Sequence, residues 1–179
     1  QSNSTIPEND QGHDDYNNND DNNNNNVDTT DLRFLQMSLI NARSIKNKLQ
    51  ELHYYLQTEK PDILCVTETW LLPSVTDSII IGDCNYSLFR KDRVGAVGGG
   101  VCILLNNNTV VSSQIKLADS YSHLEIVCVE IRTLLVKMQL FVCYRPPSSD
   151  TDPLALQYIR DMCSCIDLLS LSDSTMLIT

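Results

Sequence analysis

Four polar side chains stand where apolar runs stop. Asn41 closes "SLIN", Glu68 follows "ILCVT", and Tyr144 with Arg145 follows "LFVC". An amide, a carboxylate, a phenol and a guanidinium together suit a divalent cation and a phosphate. Mg²⁺ takes hard oxygen ligands at ~2.0–2.1 Å, and usually only one or two carboxylates, with water and substrate oxygens filling the octahedron. Glu68 is therefore the candidate ligand for Mg²⁺ or Mn²⁺. Asn41 would orient that carboxylate or a metal-bound water, and Tyr144 would donate to a phosphate oxygen. Each residue also has a plainer reading: a turn asparagine, a solvated glutamate, an interface aromatic. The three together, in this order and at strand ends, point to a site, because rigid strands present side chains from their ends.

The surrounding pattern alternates between strand and helix. "FLQMSLI" reads as a strand. Ser44 is a candidate N-cap for a helix from Ile45 to about Gln57, with Ile45, Leu49, Leu52 and Leu56 on one face. Pro61 closes that unit and "ILCVT" is the next strand, so a parallel pair is expected. No further helical signal is found before the prolines. "YSLFRKD", "GGVCILLN", "TVVSSQIKL", "LEIVCVEIR" and "LLVKMQLFVCY" read as strands. In "LEIVCVEI", Leu124, Ile126, Cys128 and Glu130 share one side; Glu125, Val127, Val129 and Ile131 share the other. The alternation leaves open whether Glu125 faces in or out. Pro146 and Pro147 end the last of these strands. Asp150 or Asp152 would cap a helix around Leu154 to Leu169, and "TMLIT" starts another strand that the chain ends within. The whole reads as a layered α/β fold.

Composition sets the frame. The chain has 179 residues and is 42% hydrophobic, enough for a real core. Residues 1–30 are Asn/Asp-rich, with seven acids and no Lys or Arg, and are expected to be disordered. Beyond them sixteen acids face thirteen bases, so most of the formal charge of -10 belongs to the tail. Bulk charge then decides nothing about nucleic acid; only local patches can. Of the seven cysteines, Cys65, Cys102, Cys128 and Cys143 fall in apolar strands, and Cys163 and Cys165 point apart on a helix. No paired CxxC suggests zinc, and a reducing, intracellular setting fits. No apolar run reaches the ~18 residues of a membrane span, and no signal peptide is read at the start. The first residue is Gln, which suggests a fragment.

Basic residues cluster near the strand ends: Arg43, Lys46 and Lys48 after the first strand, Arg90, Lys91 and Arg93 in "RKDR", and Arg145. Arg43, Arg90, Arg93 and Arg145 are the candidate phosphate contacts; Lys46 and Lys48 could equally be a solvated helix face. "GAVGGG", Gly95 to Gly100, lacks the Lys-Ser/Thr of a phosphate-binding loop and precedes a strand, so a hairpin turn with close packing is expected. Trp70, the single tryptophan, is read as a packing anchor beside Glu68. His13, His53 and His123 have no partner spacing for a triad and are read as structural or solvated.

"NARSIKNKLQEL", "PDILCVTETWL", "GGGVCILL" and "VCYRPP" resemble the endonuclease domain of LINE-type (non-LTR) retrotransposons, particularly jockey-like members, within the endonuclease/exonuclease/phosphatase superfamily. The resemblance runs from about Leu35 to Thr179. It implies a four-layer α/β sandwich, truncated in its C-terminal part, with residues 31–179 a partial domain. It implies Mg²⁺-dependent cleavage of DNA phosphodiesters, with Asn41, Glu68 and Tyr144 as active-site positions and Glu68 the metal ligand. Relatives carry a Gly-Asp-Phe-Asn motif after a strand like "TMLIT" and a later Asp-His pair, neither of which is present. Arg43 stands where many relatives have an acid or a small residue. The expectation is an endonuclease that nicks chromosomal DNA in the nucleus to prime reverse transcription, joined to a reverse transcriptase, with this fragment alone inactive. The alternatives are a non-catalytic remnant or binding module of a decayed element, and a phosphatase of the same superfamily.

Overall fold

The structure, a computed structural model, describes residues 34–133, 137–147, 152–170 and, as backbone, 175–178. The segment 1–30 expected to be disordered lies outside the described residues, as do His13 and Asp150.

Two four-stranded sheets form. In the first, β1 (Met37–Asn41), β2 (Ile63–Thr67), β3 (Tyr86–Lys91) and β4 (Val101–Asn106) lie in the order β1-β2-β4-β3. In the second, β5 (Val111–Ile115), β6 (Glu125–Arg132), β7 (Lys137–Tyr144) and β8 (Thr175–Ile178) follow chain order. β1 and β2 are parallel and joined through α1 (Leu49–Thr58); β7 and β8 are parallel and joined through α3 (Pro153–Ser170). The remaining pairs are antiparallel.

The period-2 alternation sorts side chains into layers. Ile63, Cys65, Val101, Ile103 and Leu105 meet Val127, Val129, Ile131, Leu140 and Val142 between the sheets. On the outer face of the first sheet, Leu64, Val66, Cys102 and Leu104 pack under Leu52 and Leu56 of α1. On the outer face of the second, Ile126, Cys128, Phe141 and Cys143 meet Cys165 and Tyr158 of α3. The result is the expected order of helix, sheet, sheet, helix. β2 and β4 are covered on both faces, which explains why "ILCVT" and "VCILL" read as continuous apolar runs. All seven cysteines are free thiols. Burial pushes Cys65 and Cys128 up to about 12, so they stay uncharged and behave as small apolar groups.

Two elements depart from the sequence reading. α1 starts at Leu49, four residues later than expected, and Ser44 does not cap it. Ser44 N–H donates to Glu68 O at 2.8 Å and Ile45 N–H to Thr69 O at 3.0 Å. These donors knit the loop to its neighbour and are lost to a first helical turn. The sequence reading also missed α2 (Asp77–Ile81), whose single buried residue, Ile80, is too little for a periodic signal. Asp152 does cap α3, accepting from Leu154 N–H at 3.0 Å.

Candidate active site

Parallel strands end at the same edge of a sheet. β1 and β2 are in register from Met37/Ile63 to Asn41/Thr67, so Asn41 and Glu68 emerge side by side. β7 ends at Tyr144 on the facing sheet. The three side chains converge on one atom: Asn41 Nδ2 donates to Glu68 Oε1 at 3.2 Å and the Tyr144 hydroxyl donates to the same oxygen at 2.9 Å. Neither bond uses Oε2. Arg43 N–H donates to Asn41 Oδ1 at 3.3 Å, which fixes the amide with its NH₂ toward the carboxylate. The trio read from the sequence is thus one constellation, assembled across 27 and 76 residues of chain.

The bonds set the charge state. The amide of Asn41 and then the hydroxyl of Tyr144 hold the Glu68 carboxyl below its ordinary range, with smaller help from Arg43 and the Trp70 indole. Burial raises the Tyr144 phenol, and the bond to Glu68 adds to this, so it remains a donor. One ionised carboxylate, with Asn41 and Tyr144 both on Oε1, fits Mg²⁺ or Mn²⁺, which complete their shells with water and substrate. Among the described residues no group of three His, Cys, Asp or Glu side chains gathers, so Glu68 would hold such an ion with few protein partners.

The backbone here is strained. Arg43 (φ 43°), Ser44 (φ 83°), Glu68 (φ 52°) and Trp70 (φ 54°) occupy the left-handed region. Each costs about 1–3 kcal/mol and persists only when its surroundings fix it. The surroundings do: Ala42 N–H reaches Thr67 O, Thr69 N–H reaches Gly100 O and Trp70 N–H reaches Gly99 O, each within 3.1 Å. Three loops therefore extend the sheet beyond its strands. The glycine run lies, as expected, in a hairpin with close packing: residues 92–100 join the antiparallel β3 and β4. A Cβ on Gly100 would sit 2.5 Å from Thr69 Oγ1, and one on Gly99 would collide with the Arg93 guanidinium.

A buried acid braces this arrangement. Glu125, opposite Tyr144 in the β6–β7 register, is 5% exposed. It accepts from Arg93 Nε and from Gly100 N–H. The Arg93 guanidinium lies 5.7 Å from the centre of the Tyr144 ring. Tyr158 of α3 accepts from Glu125 N–H at 2.9 Å and donates to Tyr144 O at 3.1 Å. Sequence reasoning missed these supports. One signal was available: Glu125 has the parity of Val127, Val129 and Ile131, the residues that face the opposite sheet.

The basic residues separate into two groups. Arg43, Lys46 and Arg145 are exposed. Arg90 corrects the expectation of a phosphate contact. All five of its N–H donors are engaged, by Asp92 twice, Asp77, Val75 O and Leu72 O, and it pins α2 and the preceding loop. Arg93 is paired with Glu125 rather than free. Lys48 Nζ is tethered to Ala42 O at 2.6 Å. His53 bonds Ile80 O and His123 meets Asp161, both structural positions. Trp70, read as a packing anchor beside Glu68, is partly covered and 40% exposed. It lines a cleft of about 340 Å³ with Ser44, Lys46, Leu72, Arg93 and Val97.

Comparison with protein-family models and with curated proteins finds no match. Solved structures do match. An AP endonuclease from Archaeoglobus fulgidus superposes with a TM-score of 0.54 at 18% identity, over 78% of this chain and 53% of that one. The 3′ phosphatase NExo from Neisseria, bound to a product DNA hairpin, gives 0.59 at 14% identity, over 80% and 56%. The endonuclease domain of TRAS1, a telomere-specific non-LTR retrotransposon, gives 0.49 at 17% identity, over 72% and 52%. The AP endonuclease and NExo matches show the fold to be the α/β sandwich of the endonuclease/exonuclease/phosphatase type, and the chain spans about half the length of the three structures.

Proposed function

We propose that this chain supplies the Asn41, Glu68 and Tyr144 part of a Mg²⁺-dependent endonuclease that nicks DNA for a non-LTR retrotransposon. The observation that carries the reading is the convergence of Asn41 and Tyr144 on one oxygen of Glu68. The DNA substrate is supported by neighbours that include an AP endonuclease and a phosphatase bound to product DNA. The retrotransposon role, with action in the nucleus and a reverse transcriptase in the same polypeptide, rests on the sequence motifs. No helix among the described residues is long and apolar enough to cross a membrane.

In this reading Glu68 stays ionised and would hold the ion through its carboxylate. Bound Mg²⁺ would polarise a phosphoryl oxygen and offset the charge that develops in an in-line displacement. Asn41 keeps the carboxylate from rotating. Tyr144, held protonated, does the same from the other sheet and keeps an O–H at the site. Arg43, Lys46 and Arg145 neutralise flanking phosphates, which positions DNA without reading its sequence.

Residues 1–179 alone are expected to leave supercoiled plasmid intact, since a positioned general base is typically worth ~10²–10⁴-fold and neither described histidine, His53 or His123, joins the trio. The test is to read the coding sequence past Thr179 and assay the polypeptide it encodes. An intact Gly-Asp-Phe-Asn and Asp-His, with Mg²⁺-dependent nicking lost in Glu68→Gln, is the expected result. Strong nicking by residues 1–179, or a stop codon after Thr179, would count against the enzyme as described, the latter favouring a remnant. Hydrolysis of inositol phosphates with duplex DNA untouched would reassign it as a phosphatase.

A further inference from the structure

The cleft beside Trp70 has a composition of its own. Its walls are Ser44, Lys46, Asn47, Trp70 to Leu72, Arg93 and 96–98, with no carboxylate in the lining; Lys46 is exposed and Arg93 is paired with Glu125. Apolar surface lies open at its rim: Trp70 is 40% exposed, Leu72 47% and Val97 91%. Arg93 Nη2 is buried with no hydrogen-bond partner among the described residues. Trp70 is also held in left-handed backbone by its N–H bond to Gly99 O.

We propose that this cleft takes a nucleobase, unstacked from its neighbours and laid against the Trp70 indole, with the exposed Lys46 on the adjoining phosphate. An aromatic face gives stacking that every base can use, and cations track the backbone. A hydrophobic peptide would not call for the lysine, and a free phosphate would not call for the indole. Trp70 lies two residues from Glu68, and Arg93, which also lines the cleft, lies 5.7 Å from the centre of the Tyr144 ring, so the cleft adjoins the carboxylate site. The base would belong to a nucleotide next to the phosphate that faces Glu68. The inference rests on the reading of that carboxylate site as one that acts on DNA.

Trp70 is the only tryptophan, so intrinsic fluorescence reports on it alone. The chain is titrated with a short single-stranded oligodeoxynucleotide and with an abasic oligomer of the same length. Quenching is expected with the first and little with the second. With fluorescein-labelled oligomers and binding read by anisotropy, Trp70→Ala should weaken binding of the base-bearing oligomer roughly ten- to hundred-fold and leave the abasic one unchanged. Trp70→Phe should retain most of the affinity, and Lys46→Ala should weaken both oligomers alike. If Trp70→Ala does not fold, the wild-type comparison of the two oligomers decides by itself. Equal binding and equal quenching by both oligomers would overturn the base site and leave DNA binding, and the Glu68 reading, intact. Binding of neither oligomer nor of duplex DNA would overturn both.

Discussion

Glu68 is the residue on which the rest converges, and its titration is the most direct probe of the site. Asn41 exerts the larger pull and Tyr144 the next. Replacing Asn41 by Ala should therefore raise the Glu68 pKa more than Tyr144→Phe does, and both should move it toward the ordinary carboxylate range. Side-chain carboxyl resonances followed by NMR through an acid titration would show the order. The linkage has a definite sign. Glu68 titrates lower folded than unfolded, so its contribution to stability is complete above the ordinary carboxylate range. It is lost as pH falls through the depressed folded value. In Asn41→Ala the acid-side loss should shrink. Metal binding follows the same carboxylate: Glu68→Gln should abolish Mn²⁺ uptake seen by electron paramagnetic resonance, while Arg90→Ala should leave it unchanged, since Arg90 serves α2.

Loops hold the site only because a buried pair holds the loops. Arg93 and Glu125 join the β3–β4 hairpin to β6, and Gly100 N–H shares the same carboxylate. Removing one partner of a buried pair costs about 3–5 kcal/mol, because the other is left charged and alone. Glu125→Leu is expected to lower stability by that order in urea unfolding, and the double variant Arg93→Met/Glu125→Leu to recover much of it. Gly99→Ala should act at the same place, since its methyl would meet the Arg93 guanidinium in left-handed backbone. Another element-level expectation concerns β1. It lies at the end of its sheet with Met37, Leu39 and Ile40 each at least 39% exposed. Such an edge invites strand pairing between copies. Leu39→Lys should reduce concentration-dependent association measured by light scattering.

On the scale of the molecule, two sheets face one another and each is covered outside by helices. The second outer layer depends on Phe141, fully buried among Ile126, Cys128 and Cys165. Phe141→Ala should cost about 3–5 kcal/mol in chemical unfolding, through lost transfer energy and the cavity left behind. Tyr144 would be disturbed too, because α3 reaches it through Tyr158. Much of this architecture was legible in the chain. Period-2 alternation in "LEIVCVEI" assigned Val127 and Val129 to one side and Ile126 and Cys128 to the other, and the two cores divide them that way. The start of α1 was not legible. Ser44 has the chemistry of a cap, and only the neighbouring loop takes its N–H away.

By itself the sequence determined the kinds of element, the layering and the three polar residues at strand ends, because periodicity and end chemistry are local properties. Tertiary structure decided which side chains meet. It brought Tyr144 across to Glu68, turned Glu125 inward onto Arg93, consumed every donor of Arg90 and left Trp70 open to solvent. Those outcomes depend on partners tens of residues away, whose approach is set by how two twisted sheets and their connecting loops pack, and no local pattern encodes that.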